Sequence, residues 1–210
     1  MKVVNLTSEA VGDPGFKRVT FTERRVPISS ADGKTKYTGM VWNVEEDSMA
    51  GSYIDLPGHI LETDDGARGD NINAGFFYRH PASVLHLDCS EGPVSASDLE
   101  KAANGRKMQD FIIINAIGNK NPFDIPSRSV YLDMDAVDWI INSGCRCLVS
   151  DIYESRRLDG VFLKLFAAGV STVCVPANLF KIPDEVLLTV AFPRWPTTQI
   201  PCVLLAECQE

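Results

Sequence analysis

The chain has no apolar run approaching the roughly 20 residues of a membrane-spanning helix, and its opening Met1-Lys2-Val3-Val4-Asn5-Leu6 lacks the long apolar core of a secretory signal. Spanning helices and secretion are therefore not expected. Positive charge is scarce: 20 Lys and Arg stand against 28 Asp and Glu, a formal net charge of −8. Tracking a phosphate backbone or an anionic membrane needs clustered cations, so neither nucleic acid nor membrane is expected as a partner. The basic pairs Arg24-Arg25 and Arg156-Arg157 are isolated among acids. No Cys-x-x-Cys knuckle occurs, since Cys145-Arg146-Cys147 has a single intervening residue. The other cysteines, Cys89, Cys174, Cys202 and Cys208, lie mostly in apolar, strand-like runs. Buried, reduced thiols follow as the expectation, together with a cytoplasmic location. Repeats and low-complexity segments are missing too, so residues 1–210 are read as one domain.

What is present is ordinary globular material: 45% hydrophobic and 23% charged residues. Residues 1–92 read as strands and loops. Residues 3–6, 18–26, 37–46 and 83–89 have strand character, with Met40, Trp42 and Val44 at alternating positions. The Gly-, Asp- and Asn-rich residues 60–78 read as a long surface loop. The second half alternates helix and strand. Ser95-Ala96-Ser97-Asp98 opens a capped helix, and residues 111–114 form an apolar strand covered on both faces. Residues 133–142 and 158–168 are predicted helices stopped by Gly144 and Gly169, with strands at 147–150, 171–175, 186–192 and 202–206. Such alternation predicts right-handed crossovers to a parallel sheet. With further strands from the first half joining that core, the expected class is α+β around a mixed sheet.

The segment richest in chemistry is Met49-Ala50-Gly51-Ser52-Tyr53-Ile54-Asp55-Leu56-Pro57-Gly58-His59. With one proline and two glycines it is a turn, not a helix. A Pro–Gly turn could fold the His59 imidazole back on the Asp55 carboxylate, a recurring general-base arrangement, although such a pair is also a common structural device. Asp151 and Glu154 follow a predicted parallel strand, where open α/β sheets place ligands; a solvated turn paired with Arg156 and Arg157 is the plainer reading. His80, after Phe76-Phe77-Tyr78, is expected to pack, and His86 to be a satisfied sheet residue.

This segment resembles the metal-dependent cyclase family, which includes bacterial kynurenine formamidases and isatin hydrolases and carries a His-x-Gly-Thr-His-x-Asp-x-Pro-x-His motif. Gly51, Asp55, Pro57 and His59 match it, and Ser52 nearly matches the Thr. The resemblance continues through Asn5-Leu6-Thr7, Ser97-Asp98-Leu99, Ser150-Asp151, Ala168-Gly169-Val170, Ala177-Asn178-Leu179 and the Phe192-Pro193 ending. It implies a swivelling β/β/α-type scaffold with flanking helices and a homo-oligomer, with a dimer as the leading expectation. In the family, two zinc or manganese ions are held at the positions of Met49, Tyr53, Asp55, Phe162 and Ala177. Of these only Asp55 is a good ligand, and the other histidines, His80 and His86, lie outside the pattern. A tight zinc site needs three or four protein ligands, so no metal is expected; a weak divalent site near Asp55 and His59, with Glu154 or Asp151, is the alternative.

Three functions remain open from the sequence. The first is a metal-independent enzyme acting on a small carbonyl or lactone substrate. His59 would be its acid/base, Asp55 the orienting partner and Tyr53 the oxyanion donor. Met49, Trp42, Phe162, Ala177 and Asn178 would line the substrate site, with Trp42 as a core residue and Asn178 as a turn-fixing residue for the plain alternatives. The second is a metal-assisted amide or lactone hydrolase. The third is a non-catalytic relative that binds a small molecule or a partner chain.

Overall fold

The computed structural model describes residues 1–9 and 19–208. Its main body is a nine-stranded mixed sheet that curls into a half barrel. The strand order is β1 (Lys2–Asn5), β13 (Val203–Cys208), β11 (Glu185–Ala191), β5 (His80–His86), β7 (Phe111–Asn115), β9 (Cys147–Ser150), β10 (Ser171–Cys174), β4 (Tyr53–Asp55) and β12 (Gln199–Pro201). The central four, β5, β7, β9 and β10, are parallel, and antiparallel strands flank them on both sides. This is the expected α+β class. Residues 111–114 are fully buried, as a parallel strand covered on both faces requires.

Three helices, α1 (Ala96–Ala103), α2 (Met134–Asn142) and α3 (Val161–Ala167), cover one face of the sheet. They share a core with Ile112, Ile114 and Leu148, to which α2 adds Val137 and Ile140 and α3 adds Leu165. The opposite face closes on Ile113, Val149, Val173, Leu188 and Leu204. A short parallel pair, β6 (Gly92–Val94) and β8 (Val130–Leu132), sits apart from the main sheet. Helix starts follow local chemistry. Ser95 and Asp98 form a reciprocal capping box on α1, and the Asp133 carboxylate accepts the Met134 amide at 2.8 Å on α2. The third helix begins at Val161 rather than Leu158, because Leu158 and Gly160 occupy left-handed backbone (φ 59° and 94°) that cannot continue a right-handed helix. No helix of the described residues is long and apolar enough to cross a membrane. All six cysteines are free thiols; five are buried and Cys89 is half-buried.

One expectation is corrected. Strands β2 (Val19–Ser29) and β3 (Lys36–Glu46) pair only with each other and do not join the core sheet. The predicted alternation is real, but it faces outward. Phe21, Met40, Trp42 and Val44 share one hairpin face by register and are 50–61% exposed, so Trp42 is not a core residue. Arg18, at the start of the predicted strand, lies outside the described residues. Residues 60–78 are not a plain loop but a chain of tight turns, with short 3₁₀ segments at Leu61–Thr63 and Ala74–Phe77.

Arg106 ties α1 to the sheet. Its guanidinium donates to the carbonyls of Ala102, Ala103, Val84 and Asp184, all at 3.0–3.1 Å. Removing a fork that satisfies four carbonyls should cost about 3 kcal/mol, and Lys, a point charge, should restore only part of it. Urea unfolding of Arg106→Ala and Arg106→Lys checks this; an Ala variant within about 1 kcal/mol of the parent contradicts it.

Candidate functional site

Strand β4 is three residues long, hydrogen-bonded on both edges and wholly buried. Its register sets Tyr53 opposite Cys174 and Asp55 opposite Thr172 on β10, and Asp55 opposite Gln199 on β12. Alternation sends Ile54 into the lower core beside Val173 and Ile200. Tyr53 and Asp55 therefore share the other face, where Cys174 also lies.

There the three side chains meet. Cys174 donates its S–H to Asp55 Oδ2 at 3.7 Å, and the Tyr53 hydroxyl hydrogen-bonds to the Cys174 sulfur. Burial, reinforced by the negative charge of Asp55, pushes both the Cys174 thiol and the Tyr53 hydroxyl far above their ordinary pKa ranges. Both keep their protons across working pH. The wall above them is aromatic and apolar. Tyr153 anchors its hydroxyl on the carbonyls of Leu148 (2.9 Å) and Val173 (2.8 Å) and stacks on Phe162, with ring centroids 4.8 Å apart. Met49 and Phe162 pack, half-buried, against this cluster.

His59 is elsewhere. After β4, Leu56 donates to Thr198 O and a 3₁₀ turn, Pro57–His59, starts on its proline. Gly58 fits closely in that turn: a Cβ would stand 2.5 Å from Asp64 Oδ1 and 2.9 Å from Arg68 Nη1, so those side-chain ends would have to shift. The bond from Arg68 holds the Asp64 carboxyl down at about 2. The turn swings His59 to the surface, where its ring meets Phe166 edge-on at 6.3 Å. Its one described hydrogen bond is from its backbone amide to Leu56 O. The strand points Asp55 inward while the turn points His59 outward, so the two do not form the expected couple.

The remaining positions are placed as follows. Ala177 and Asn178 are half-buried just beyond β10. Ala177 N donates to Leu6 O, and Asn178, in left-handed backbone, donates to Asn5 O and accepts from Lys181 Nζ, so its amide fixes a turn. Trp42 lies on the projecting hairpin and lines a shallow cleft of about 360 Å³ with Arg24 and Val41. His80 stacks on Phe111 (4.0 Å between centroids) and lies 2.6 Å from Asp110; His86 donates to Ile182 O and accepts from Asn115. Asp151 accepts the amides of Ala116 and Ile117, and Glu154 accepts the Phe162 amide at 3.4 Å in the first turn of α3. Neither acid pairs with Arg156 or Arg157, which bond to Ser127 O and Asp159 instead. Sequence reading passed over Cys174 and Tyr153. The available signal was position: Cys174 ends the strand three residues before Ala177, and Tyr153 follows the Ser150-Asp151 strand end.

The donors do not fit a pair of metal ions. Of the five positions the resemblance assigns to ligands, Tyr53 and Asp55 are bound up with Cys174, Phe162 stacks on Tyr153, and Met49 and Ala177 offer no nitrogen or oxygen donor from their side chains. Among the described residues no three His, Cys, Asp or Glu side chains converge as a metal site.

Fold and site together define an α+β scaffold around a curled mixed sheet, with a packed Tyr–Cys–Asp cluster where β4 meets β10. Solved structures place it among specific neighbours. The chain is similar to isatin hydrolase A from Labrenzia aggregata (TM-score 0.74, 17% identity, 100% of this chain and 94% of that one). It is likewise similar to a potential metal-dependent hydrolase with cyclase activity (0.70, 18%, 100% and 98%) and to isatin hydrolase A from Ralstonia solanacearum (0.66, 15%, 98% and 92%). It shares their fold. No family model and no curated protein matches its sequence.

Asp151 generates a pH prediction. Its side chain is half-buried, and that burial lifts its pKa from 3.8 to about 6 despite the two amides that favour the charged form. An acid with a raised folded pKa stabilises most below its unfolded value and loses that contribution as pH rises through the folded one. The wild-type chain should therefore lose about 3 kcal/mol relative to Asp151→Asn between about pH 4 and 7. Urea unfolding of both across that range measures it; a constant difference contradicts it.

Proposed function

We propose that the chain is a metal-independent enzyme performing acid/base chemistry on a small carbonyl or lactone substrate: ring closure, dehydration, isomerisation or ring opening. The Tyr53–Cys174–Asp55 cluster carries this reading. Tyr53 keeps its proton and, on turning it from the Cys174 sulfur, can donate it to an enolate or tetrahedral oxyanion. The Asp55 carboxylate, buried beside Cys174 on the same face as Tyr53, is placed to take up and return a proton. Cys174 bridges them and holds both in place. His59, at the surface beside α3, exchanges protons between solvent and the site rather than pairing with Asp55. Met49 and Phe162 supply apolar contact, with Ala177 and Asn178 at the β10 end. The fold neighbours, two isatin hydrolases and a potential metal-dependent hydrolase with cyclase activity, support hydrolytic or cyclising chemistry on this scaffold, and the last of them favours the metal-dependent alternative.

The active form is proposed to be a homodimer joined through the hairpin. An isolated two-stranded sheet is marginal in water, and this one exposes Phe21, Met40, Trp42 and Val44 on one face. A second copy would bury that stripe and bring Trp42 out of solvent. Light scattering should give twice the 23.1 kDa chain mass, and Met40→Ser with Trp42→Ser should give the single-chain mass. A monomeric wild-type chain contradicts the dimer.

A second, non-catalytic reading has its own observation: surface grooves of about 530 and 360 Å³ lie away from the cluster. Turnover decides between them. Chelator-treated protein should act on activated lactones or aromatic N-acyl substrates, with Tyr53→Phe and Asp55→Asn each lowering kcat about 100-fold and His59→Ala about tenfold. Activity abolished by chelator and restored by zinc or manganese overturns metal independence. Ligand binding without turnover on any substrate, unchanged by Asp55→Asn, establishes the binding-only reading.

A further inference from the structure

On a chain of net charge −8, three arginines converge on one groove of about 530 Å³. The groove runs between residues 126–129, which lead into β8, and residues 155–157, which precede α3; Ser90 and Glu91 close its end. Arg128 and Arg156 have no carboxylate within 4 Å among the described residues, although twenty-eight acids were available to pair with them. Arg156 is anchored: its Nε donates to Ser127 O at 3.0 Å, which fixes the guanidinium plane and leaves its terminal nitrogens uncommitted. Arg128 sits in left-handed backbone (φ 58°), a conformation a side chain with a Cβ resists and local structure must impose. Next to it, the buried Ser129 hydroxyl has no hydrogen-bond partner among the described residues. Arg157 is partly neutralised by Asp159 at 3.6 Å, and the Ser155 hydroxyl is committed to the same carboxylate.

We propose that this groove binds a small phosphate-bearing molecule, held by Arg128 from one loop and Arg156 from the other. Two guanidinium groups approaching from separate loops match an anion with acceptors on several sides. A single carboxylate is satisfied by one planar fork and would leave the second arginine idle. A groove of this volume takes a ligand of metabolite size, and Tyr131 offers a ring beside the anion. The site is separate from the Tyr53–Cys174–Asp55 cluster and stands whether or not that cluster is catalytic.

Titration calorimetry with pyrophosphate at low salt tests it. The wild-type chain should bind, and each of Arg128→Gln and Arg156→Gln should weaken binding about tenfold, as loss of one charge-assisted contact does. Arg79→Gln, just before β5 and paired with Glu207, should leave binding unchanged. Phenylglyoxal labelling of the unmutated chain gives an answer that no folding defect can disturb. Pyrophosphate should slow modification of Arg128 and Arg156, read by peptide mass, while Arg79 reacts at its former rate. No binding, equal binding by the arginine variants, unprotected arginines, or succinate bound as tightly as pyrophosphate would each overturn the proposal.

Discussion

The arrangement of the site depends on one short strand held from both sides. Strand β4 is clamped between β10 and β12, so its side-chain alternation has no freedom to slip; a shift by one residue would exchange Ile54 for Tyr53 and Asp55. That exchange would bury a carboxylate against Val173 and Ile200 and lift an isoleucine among polar groups. The cost of either error fixes the register, and the register delivers Tyr53 and Asp55 to Cys174. Everything proposed for the site, from the protonated tyrosine to the enclosed carboxylate, follows from that pairing.

The same clamp explains why neighbouring motif residues part company. Pro57 and Gly58 start a turn just after the strand ends, and Gly58 lies close against the Asp64–Arg68 ion pair. The turn carries His59 around to α3. Asp55 and His59 are close in sequence and were expected to pair, but a strand end followed by a 3₁₀ turn points consecutive functional side chains to different places. Spacing alone cannot reveal that, because it depends on what packs against the glycine.

Much of the second half was legible because parallel strands and capped helices write local signatures. Residues 111–114 and 147–149 are unbroken apolar runs, and Ser95 and Asp133 are N-cap residues with the right chemistry. The hairpin β2–β3 was legible as strands but not as to what it packs on. Met40, Trp42 and Val44 alternate as a core strand would, and only tertiary context shows that they face outward. Cys174 went unrecognised because its role comes from β10 lying beside β4, a long-range antiparallel pairing with no local mark. The late start of α3 came from left-handed residues at Leu158 and Gly160, of which only the glycine could be anticipated.

The residues at the positions that the resemblance assigns to ligands form a consistent set. Phe162 extends the stack that begins at Tyr153, Met49 fills space against it, and Tyr53 uses its hydroxyl on a thiol rather than on a cation. The most direct test is metal stoichiometry after the chain is incubated with excess zinc or manganese and then desalted. Too few donors for a tight site predicts less than about 0.1 ion per chain. One or two ions retained per chain, and lost in Asp55→Asn, would contradict the account.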